Sequence, residues 1–376
     1  MKFIISSSLL LGHLQAISRV ISSKSTLPIL DNFLFKISNN ELTAIASDLE
    51  TTLITRINLQ NAEGEGNIAI EAKRLLDILK EFPEQPLTFD IDTENLTIDV
   101  LSENGKFSLI GTNGLEFPQI PSIKKENVAS VKLNSELLLS GINKTLFATA
   151  NDELRPVMNG IFIELANDEI TFVASDSHKL VRYKRKDIKS DIVSSFILPK
   201  KPSSILKNIL PKETNQITLK FDDKNAFFIL SEYELVCRLV EGNYPSYNSV
   251  IPVDNPNKLT VDRVDFYNTL KRVSVFSNQA SNLVKLEITG NQLTISAQDI
   301  DFSISAYERI KCQYEGDEMI IGFKSTFLLE ILSILSSTEV LVELSDPARA
   351  GILVPNEKEN ESEDVLMLLM PMMINI

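Results

Sequence analysis

Serine, aspartate and histidine stand side by side once in this chain, as Ser175-Asp176-Ser177-His178. Those types can supply a nucleophile, an orienting carboxylate and a general base. A hydrolytic triad, however, is assembled in space and seldom from sequence neighbours. Earlier in the chain, Ser47-Asp48-Leu49-Glu50 repeats the frame without a histidine. Both segments therefore read as turns in which the aspartate serves its own backbone. His178 is one of only two histidines, and a surface or peptide-contacting role suits it better than proton transfer. The two cysteines, Cys237 and Cys312, are too few, with so little histidine, for a zinc site or a disulfide framework. They read as small buried hydrophobes. No glycine-rich phosphate loop is present. The expectation is a protein that is not an enzyme, with no catalytic residues, no metal and no cofactor.

The elements that carry these residues come in three copies. Asn39-Asn40-Glu41-Leu42-Thr43-Ala44-Ile45-Ala46-Ser47-Asp48 is echoed by Asn167 to Asp176, and again by Gly290 to Asp299. Phe117-Pro118 returns as Tyr244-Pro245. A solenoid repeat is about 20–50 residues long, so a period this long marks whole domains. Lapses in the pattern, Pro118 to Glu126 and Ile251 to Asn257, suggest linkers. The expected domains are 1–127, 128–253 and 254–376.

Each repeat shows two helical stretches among strands of period two. Leu10, Leu14, Ile17 and Ile21 share a face between Ser8 and Ser22, with Ser8, Gly12, Gln15, Arg19 and Ser22 turned away. Matching helices are expected from Asn134-Ser135 and near Asp262, and second helices near Ala72, Lys200 and Lys324. Leu87 to Ile91 and Leu96 to Val100 flank a turn at Asp92-Thr93-Glu94, a hairpin signature. The fold class is α+β, with antiparallel sheets and two helices per domain.

No apolar run approaches the roughly 20 residues needed to cross a bilayer. The opening Met1-Lys2-Phe3-Ile4-Ile5 reads as a first strand and not as a secretory signal, because serines interrupt it. The chain reads as cytoplasmic, with no membrane partner. Its net charge of −14 argues, taken alone, against nucleic acid. The distribution argues otherwise. Residues 199–212 hold four lysines, Lys200, Lys201, Lys207 and Lys212, and no acid. The helical regions together are basic, and the strands and loops carry the acidic excess. Helices gathered on one wall would attract phosphates without reading sequence, while an acidic exterior would repel them.

With Met1-Lys2-Phe3, Thr26-Leu27-Pro28-Ile29-Leu30, Asn159-Gly160, Glu241-Gly242-Asn243-Tyr244-Pro245-Ser246-Tyr247, Ile321-Gly322-Phe323 and Met370-Pro371-Met372, the whole chain resembles the bacterial DNA polymerase sliding clamps, the beta subunits of the replicative polymerase. The resemblance implies clamp domains with helices lining a ring. The ring is a head-to-tail homodimer that encircles double-stranded DNA without sequence preference. It tethers polymerase subunits, the clamp loader and repair proteins through short peptides.

The resemblance also implies sites. DNA contacts fall on Lys24, Lys73, Arg155, Lys200 and Lys201; two tyrosines that can touch DNA in the family are Pro156 and Val157 here. A partner-peptide cleft maps to Met158, Ser175, Ser177, His178, Lys179, Leu180, Pro245, Val250 and Phe327, with Leu368, Leu369, Met370, Pro371 and Met372. Flexible methionines suit a groove that accepts several related peptides. For the dimer interface, Phe107 and Leu109 should meet Val275 and Phe276, with Arg74 near Asp299 and Asp301. Several positions depart from the family. Ser177 replaces a glycine, Lys179 and Ser249 replace arginines, and Ser281 replaces an aromatic. Lys324 and Phe327 stand for an asparagine and a tyrosine, and the chain runs on through Met373 to Ile376.

A rival reading is a peptide-docking scaffold that never meets DNA, which the acidic total favours and the basic helices oppose. Reversing Lys24, Lys200 and Lys201 to glutamate separates the two: loss of DNA retention is expected, and unchanged retention removes the assignment of these lysines.

Overall fold

The computed structural model describes residues 1–22, 27–121, 128–188, 192–358 and 360–374. Lys24, and the linker residues 122–126, lie outside the described residues. The first repeat runs β1 (Lys2–Ser6), α1 (Ser7–Ile17), β2 (Asn32–Ser38), β3 (Glu41–Ser47), β4 (Thr51–Asn58), β5 (Ala62–Glu63), β6 (Gly66–Glu71), α2 (Ala72–Glu81), β7 (Pro86–Asp92), β8 (Thr97–Leu101), β9 (Lys106–Ile110) and β10 (Thr112–Asn113). The second runs β11 (Ala129–Asn134), α3 (Ser135–Thr145), β12 (Gly160–Ala166), β13 (Glu169–Ser175), β14 (Lys179–Arg185), β15 (Ser194–Pro199), α4 (Lys200–Ile209), β16 (Gln216–Phe221), β17 (Asn225–Ile229) and β18 (Tyr233–Arg238). The third runs β19 (Asn257–Asp262), α5 (Arg263–Val273), β20 (Leu283–Thr289), β21 (Gln292–Asp299), β22 (Ile304–Lys311), β23 (Gln313–Glu315), β24 (Met319–Lys324), α6 (Ser325–Ile334), β25 (Glu339–Leu344), β26 (Gly351–Pro355) and β27 (Glu363–Leu369).

The expected helices form where the caps allow. The Asn134 carboxamide oxygen accepts from the Glu136 amide at 2.8 Å, and Asp262 accepts from the Asp265 amide at 2.8 Å. Such bonds satisfy donors that a helix start leaves unpaired. On α1 the buried face is Ser7, Leu10, His13, Leu14 and Ile17, so a histidine joins the expected apolar stripe. The 87–100 hairpin is present as β7 paired with β8, its turn held by the Asp92 carboxylate on the amides of Glu94 and Asn95.

Each repeat contributes two half-sheets, and the described strands form four sheets. One is β5-β1-β7-β8-β9 and another is β22-β21-β20-β24. The two nine-stranded sheets, β10-β6-β2-β3-β4-β18-β17-β16-β11 and β15-β12-β13-β14-β27-β26-β25-β19-β23, each join half-sheets of consecutive repeats. The joining pairs are antiparallel: β4 with β18, from Tyr233 opposite Thr55 to Cys237 opposite Thr51, and β14 with β27, from Lys179 opposite Leu369 to Arg185 opposite Glu363. By compactness the chain divides into two units, Met1–Leu139 with Lys201–Leu239, and Ser140–Lys200 with Val240–Ile376. The division runs through the second repeat and not between repeats.

The first unit is filled by side chains such as Phe33, Phe35 and Phe228, with Phe3 stacked on Phe89 at 4.9 Å. In the second unit, Phe172, Phe266 and Phe323 are fully buried. A Cβ on Gly141 of α3 would fall 2.6 Å from the Phe172 ring, so only glycine lets that helix lie so close to the sheet. The expected linker 251–257 ends differently from the sequence reading. Asn255 is buried and donates to the Glu343 carbonyl at 3.0 Å, and Asn257 already belongs to β19. Asparagine here completes the hydrogen bonding of a neighbouring chain segment and is not a mark of loose chain.

His13 Nδ1 lies 2.7 Å from Thr55 Oγ1, and that hydroxyl donates to the Glu232 carbonyl at 3.0 Å. A hydroxyl has one proton, so the imidazole must be the donor through Nδ1–H. Burial pushes the His13 pKa below its ordinary value; Glu232 opposes this and Lys212 adds to it. With a depressed native pKa, the unfolded chain binds more protons at mildly acidic pH, and stability rises with pH. The contribution is full above the unfolded value, about 6.5, and falls away as the pH drops through it. The urea midpoint should be lower at pH 5.5 than at pH 7.5 with an unchanged m value, and His13→Gln should shrink that difference.

Candidate partner cleft and basic helices

The turn between β13 and β14 organises the cleft residues. Asp176 Oδ1 accepts from the amides of His178 and Lys179, both at 2.9 Å. Asp48 makes the same bonds to Glu50 and Thr51 in the first repeat. In the third, Asp299 accepts from the Asp301 amide. The turn reading of these aspartates is thus what the geometry shows. Ser177 sits at φ +77° and its counterpart Leu49 at +78°. This is the left-handed region that glycine enters freely and other residues enter at a cost. Ser177 has compensation: its hydroxyl accepts from Arg155 Nη1 at 2.6 Å and points to the Met158 sulfur at 3.9 Å.

Lys179 is the most constrained of the candidates. It is buried, 4% exposed, with Nζ 2.8 Å from Glu330 Oε2 and 3.2 Å from Asp176 Oδ2. The ammonium also lies over Phe327, 4.0 Å from the ring centre, and at 5.7 Å from Phe147. Cation–π attraction is strongest where water is excluded. A lysine here is a fastener between β14 and α6, with its charge consumed locally, and not a free hand for a peptide carboxylate. The ring of His178 is 6.2 Å from that of Phe327 at 27°, and Lys324 Nζ covers Phe327 at 4.8 Å.

The floor of the cleft is apolar. Leu180 stands opposite Leu368 in the β14–β27 pairing. Both belong to a buried cluster with Val173, Tyr247, Ile352 and Leu366, against which Phe162 and Tyr244 pack. Met158 and Ser175 are buried. Val250 and Met370 are exposed, at 58% and 42%, and Pro245 is exposed. Met370 donates its amide to the His178 carbonyl at 2.8 Å. The structure therefore gathers Met158, Ser177, Arg155, His178, Lys179, Phe327 and Met370 around one turn. Leu369 is instead fully buried. Ser249 spends its hydroxyl on the Ser246 carbonyl.

The basic candidates divide. Lys73 and Lys200 are exposed. Lys201 donates to the Val20 carbonyl at 2.6 Å and pairs with Asp48, so it ties α4 to the first repeat. Arg155 pairs with Asp152 at 2.8 Å as well as with Ser177. Lys207 and Lys212 are exposed and are two further cations of the α4 region; the charge count contained them, but the family pattern did not single them out. Of the interface candidates, Phe107 is 39% exposed on β9, and Val275 is 73% and Phe276 37% exposed. Phe107 meets Phe82 edge-on at 5.1 Å. Leu109 is half-buried. Arg74 pairs with Glu71 at 3.1 Å, and Asp299 is buried, which removes it as a surface partner for Arg74.

Family models describing the N-terminal, central and C-terminal domains of the DNA polymerase III beta subunit match residues 1–121, 132–246 and 248–373. The beta sliding clamp of Proteus mirabilis is 30% identical over 359 residues, covering 95% of this chain and 96% of that protein. The chain belongs to the DNA polymerase III beta subunit family. The beta sliding clamp of Vibrio cholerae is 28% identical, over 98% of this chain and 99% of its own length. A sliding clamp from Pseudomonas aeruginosa bound to griselimycin superposes with a TM-score of 0.92 at 25% identity, with full coverage of both chains. The sliding clamp of Bacillus subtilis gives 0.91 at 25%, also over both whole chains. The fold is thus the three-domain clamp fold, and the function is that of a replicative sliding clamp, a processivity factor. Partnership with DNA polymerase III and encirclement of DNA go with that membership.

Removing the Lys179 fastener should cost stability. Charge-assisted hydrogen bonds contribute about 1.5–3 kcal/mol, but Glu330 has a side chain 45% exposed and regains water when abandoned. Lys179→Met should therefore destabilise by about 2 kcal/mol at most in urea titrations. Glu330→Gln should cost less, because Asp176 still holds the ammonium.

Proposed function

We propose that two copies of this chain close head to tail into a ring around duplex DNA. The ring holds DNA by shape and loose phosphate attraction, and docks short peptides of polymerase subunits, the clamp loader and repair proteins at the cleft. It works in the cytoplasm without catalytic residues, metal or cofactor. The domains are taken as 1–127, 128–253 and 254–376.

One observation carries the head-to-tail reading. In every repeat the end strand of one half-sheet (β4, β14, β22) and the end strand of the other (β9, β18, β27) are equivalent by chain order. The pairings β4–β18 and β14–β27 use four of these six edges. The two left over, β22 and β9, each lie at one edge of their sheets, opposite β24 and β5. An open strand edge with apolar side chains invites another chain. Exposed apolar side chains stand beside these edges, among polar ones: Phe107 and Ile110 at one, and Ile300, Phe302, Ile304 and Tyr307 at the other. A groove of about 550 Å³ lined by Lys73, Arg74, Ile78, Phe82 and Phe107 is suited to receive Val275 and Phe276 of a second copy. Among the described residues, no helix is long and apolar enough to cross a membrane.

For DNA, exposed Lys73, Lys200 and Lys207 are the better candidates, and Lys201 and Arg155 serve the fold as well. Phosphate attraction without base contacts leaves the ring free to slide.

The test is retention on nicked circular duplex DNA after loading with a cognate loader and ATP, before and after linearising the circle. Retention on the circle and loss from the linear form is the expected result. Equal behaviour on both would favour the scaffold that does not meet DNA. Lys73→Glu with Lys200→Glu should weaken loading and flatten its salt dependence, since each lost phosphate contact reduces the slope of log K against log salt by about 0.9. Phe107→Asp should shift the protein to monomer in sedimentation velocity without changing its secondary structure.

A further inference from the structure

The segment that follows β27 does not end at the cleft. Met370 bonds to the His178 carbonyl, and two residues later the Met372 amide donates to the Gly322 carbonyl at 2.8 Å. Gly322 and Met372 form an isolated antiparallel bridge on β24, the outer strand of its four-stranded sheet. Beyond the bridge, Ile374 turns over the sheet. A Cβ on Gly322 would fall 2.9 Å from Ile374 Cγ1, from Leu283 Cδ1 and from the Met372 carbonyl oxygen. Glycine at this position is what leaves room for the segment.

Ile374 and Met373 close one side of a groove of about 310 Å³ whose other walls include Ser281, Leu283, Ser296 and Ile300. The groove is open next to Ser281, where the resemblance to sliding clamps expects an aromatic. Two departures that look unrelated in sequence, the small Ser281 and the run-on through Met373 and Ile374, thus meet in one place. The attachment is slight. Met373 is 89% exposed and Ile374 is only half-buried, while among the described residues a single backbone bridge holds the segment beyond Met370.

We propose that Met372–Ile374 is a displaceable strap: in cis it pairs with the edge of β24 and walls one side of the groove beside β20 and β21, a place that an extended peptide with an aliphatic side chain at the Ile374 position can take in trans. The backbone bridge supplies strand-like recognition and the groove supplies the side-chain pocket, the two components of peptide addition to a sheet edge. The bridge and the Ile374 contact lie wholly within this chain, and the far wall at Ile300 adjoins the edge proposed for ring closure. A tethered segment competes at an effective concentration on the order of mM, so the strap suppresses weak peptides and admits those that bind more tightly or bring further contacts in the cleft.

The probe is a fluorescein-labelled synthetic peptide with the sequence of residues 368–376, titrated by anisotropy against the intact chain and against a chain ending at Pro371. The shortened chain should bind it saturably, at least tenfold more tightly than the intact chain, and the peptide carrying Ile374→Asp should not bind. In the intact chain, Gly322→Ala should crowd out the strap and Ile374→Asp should release it. The second variant should bind the unmodified probe like the shortened chain, and this decides the matter should the shortened chain fail to fold. Equal affinity of the intact and released forms, or no saturable binding by either released form while circular dichroism and the melting temperature show a folded protein, overturns the proposal.

Discussion

Everything in this molecule follows from the fact that a strand edge cannot be left bare. A half-sheet ends in a row of amides and carbonyls, and those groups must find partners or water. The repeats meet that demand by lending edges to one another, β4 to β18 and β14 to β27. The same pairing places the turn at Asp176 beside the end of β27, which is why cleft residues from two repeats can share a floor of Leu180 and Leu368. The proposed cleft is a by-product of the seam. The fastening of Lys179 to Glu330 and the bond from Met370 to His178 strengthen the same joint from either side.

The repeat, the helices and most strands were legible in the sequence because they are local. Asn134 and Asp92 mark a helix start and a turn where the sequence placed them, and Asp262 caps the helix expected near it. The roles of individual charges were less legible. Lys201 looks like a phosphate ligand from its neighbours in sequence, yet Asp48 and the Val20 carbonyl, more than 150 positions away, claim it. Lys179 looks like a cleft lysine, but Glu330 and two aromatic rings absorb its charge. Long-range partners of this kind leave no periodic trace. His13 was missed for a related reason: a histidine on an apolar stripe becomes intelligible only when Thr55 and the Glu232 carbonyl are seen beside it.

The residues that differ from the family share a logic. Ser177 keeps a backbone conformation that favours glycine, and Arg155 and Met158 supply contacts to its hydroxyl. Ser281 and Ile374, far apart in the chain, border the same groove. Substitutions in the cleft are thus answered within one or two side-chain lengths, so the floor and turn survive while the rim chemistry changes. This separation lets a scaffold keep its geometry through wide sequence divergence, and the repeats themselves, matched in fold with few identical residues, show the same tolerance.

Cys237 gives the seam between the first two repeats an internal clock. Its thiol is buried in β18 opposite Thr51, and burial raises its pKa and suppresses the reactive thiolate. An alkylating reagent reaches it in molecules where the sheet around β18, including its pairing with β4, has opened. Its modification rate, under conditions where reclosing is fast, therefore reports the equilibrium population of that open state. The chain thereby carries its own gauge of how often two repeats let go of each other, at a position where no label need be introduced.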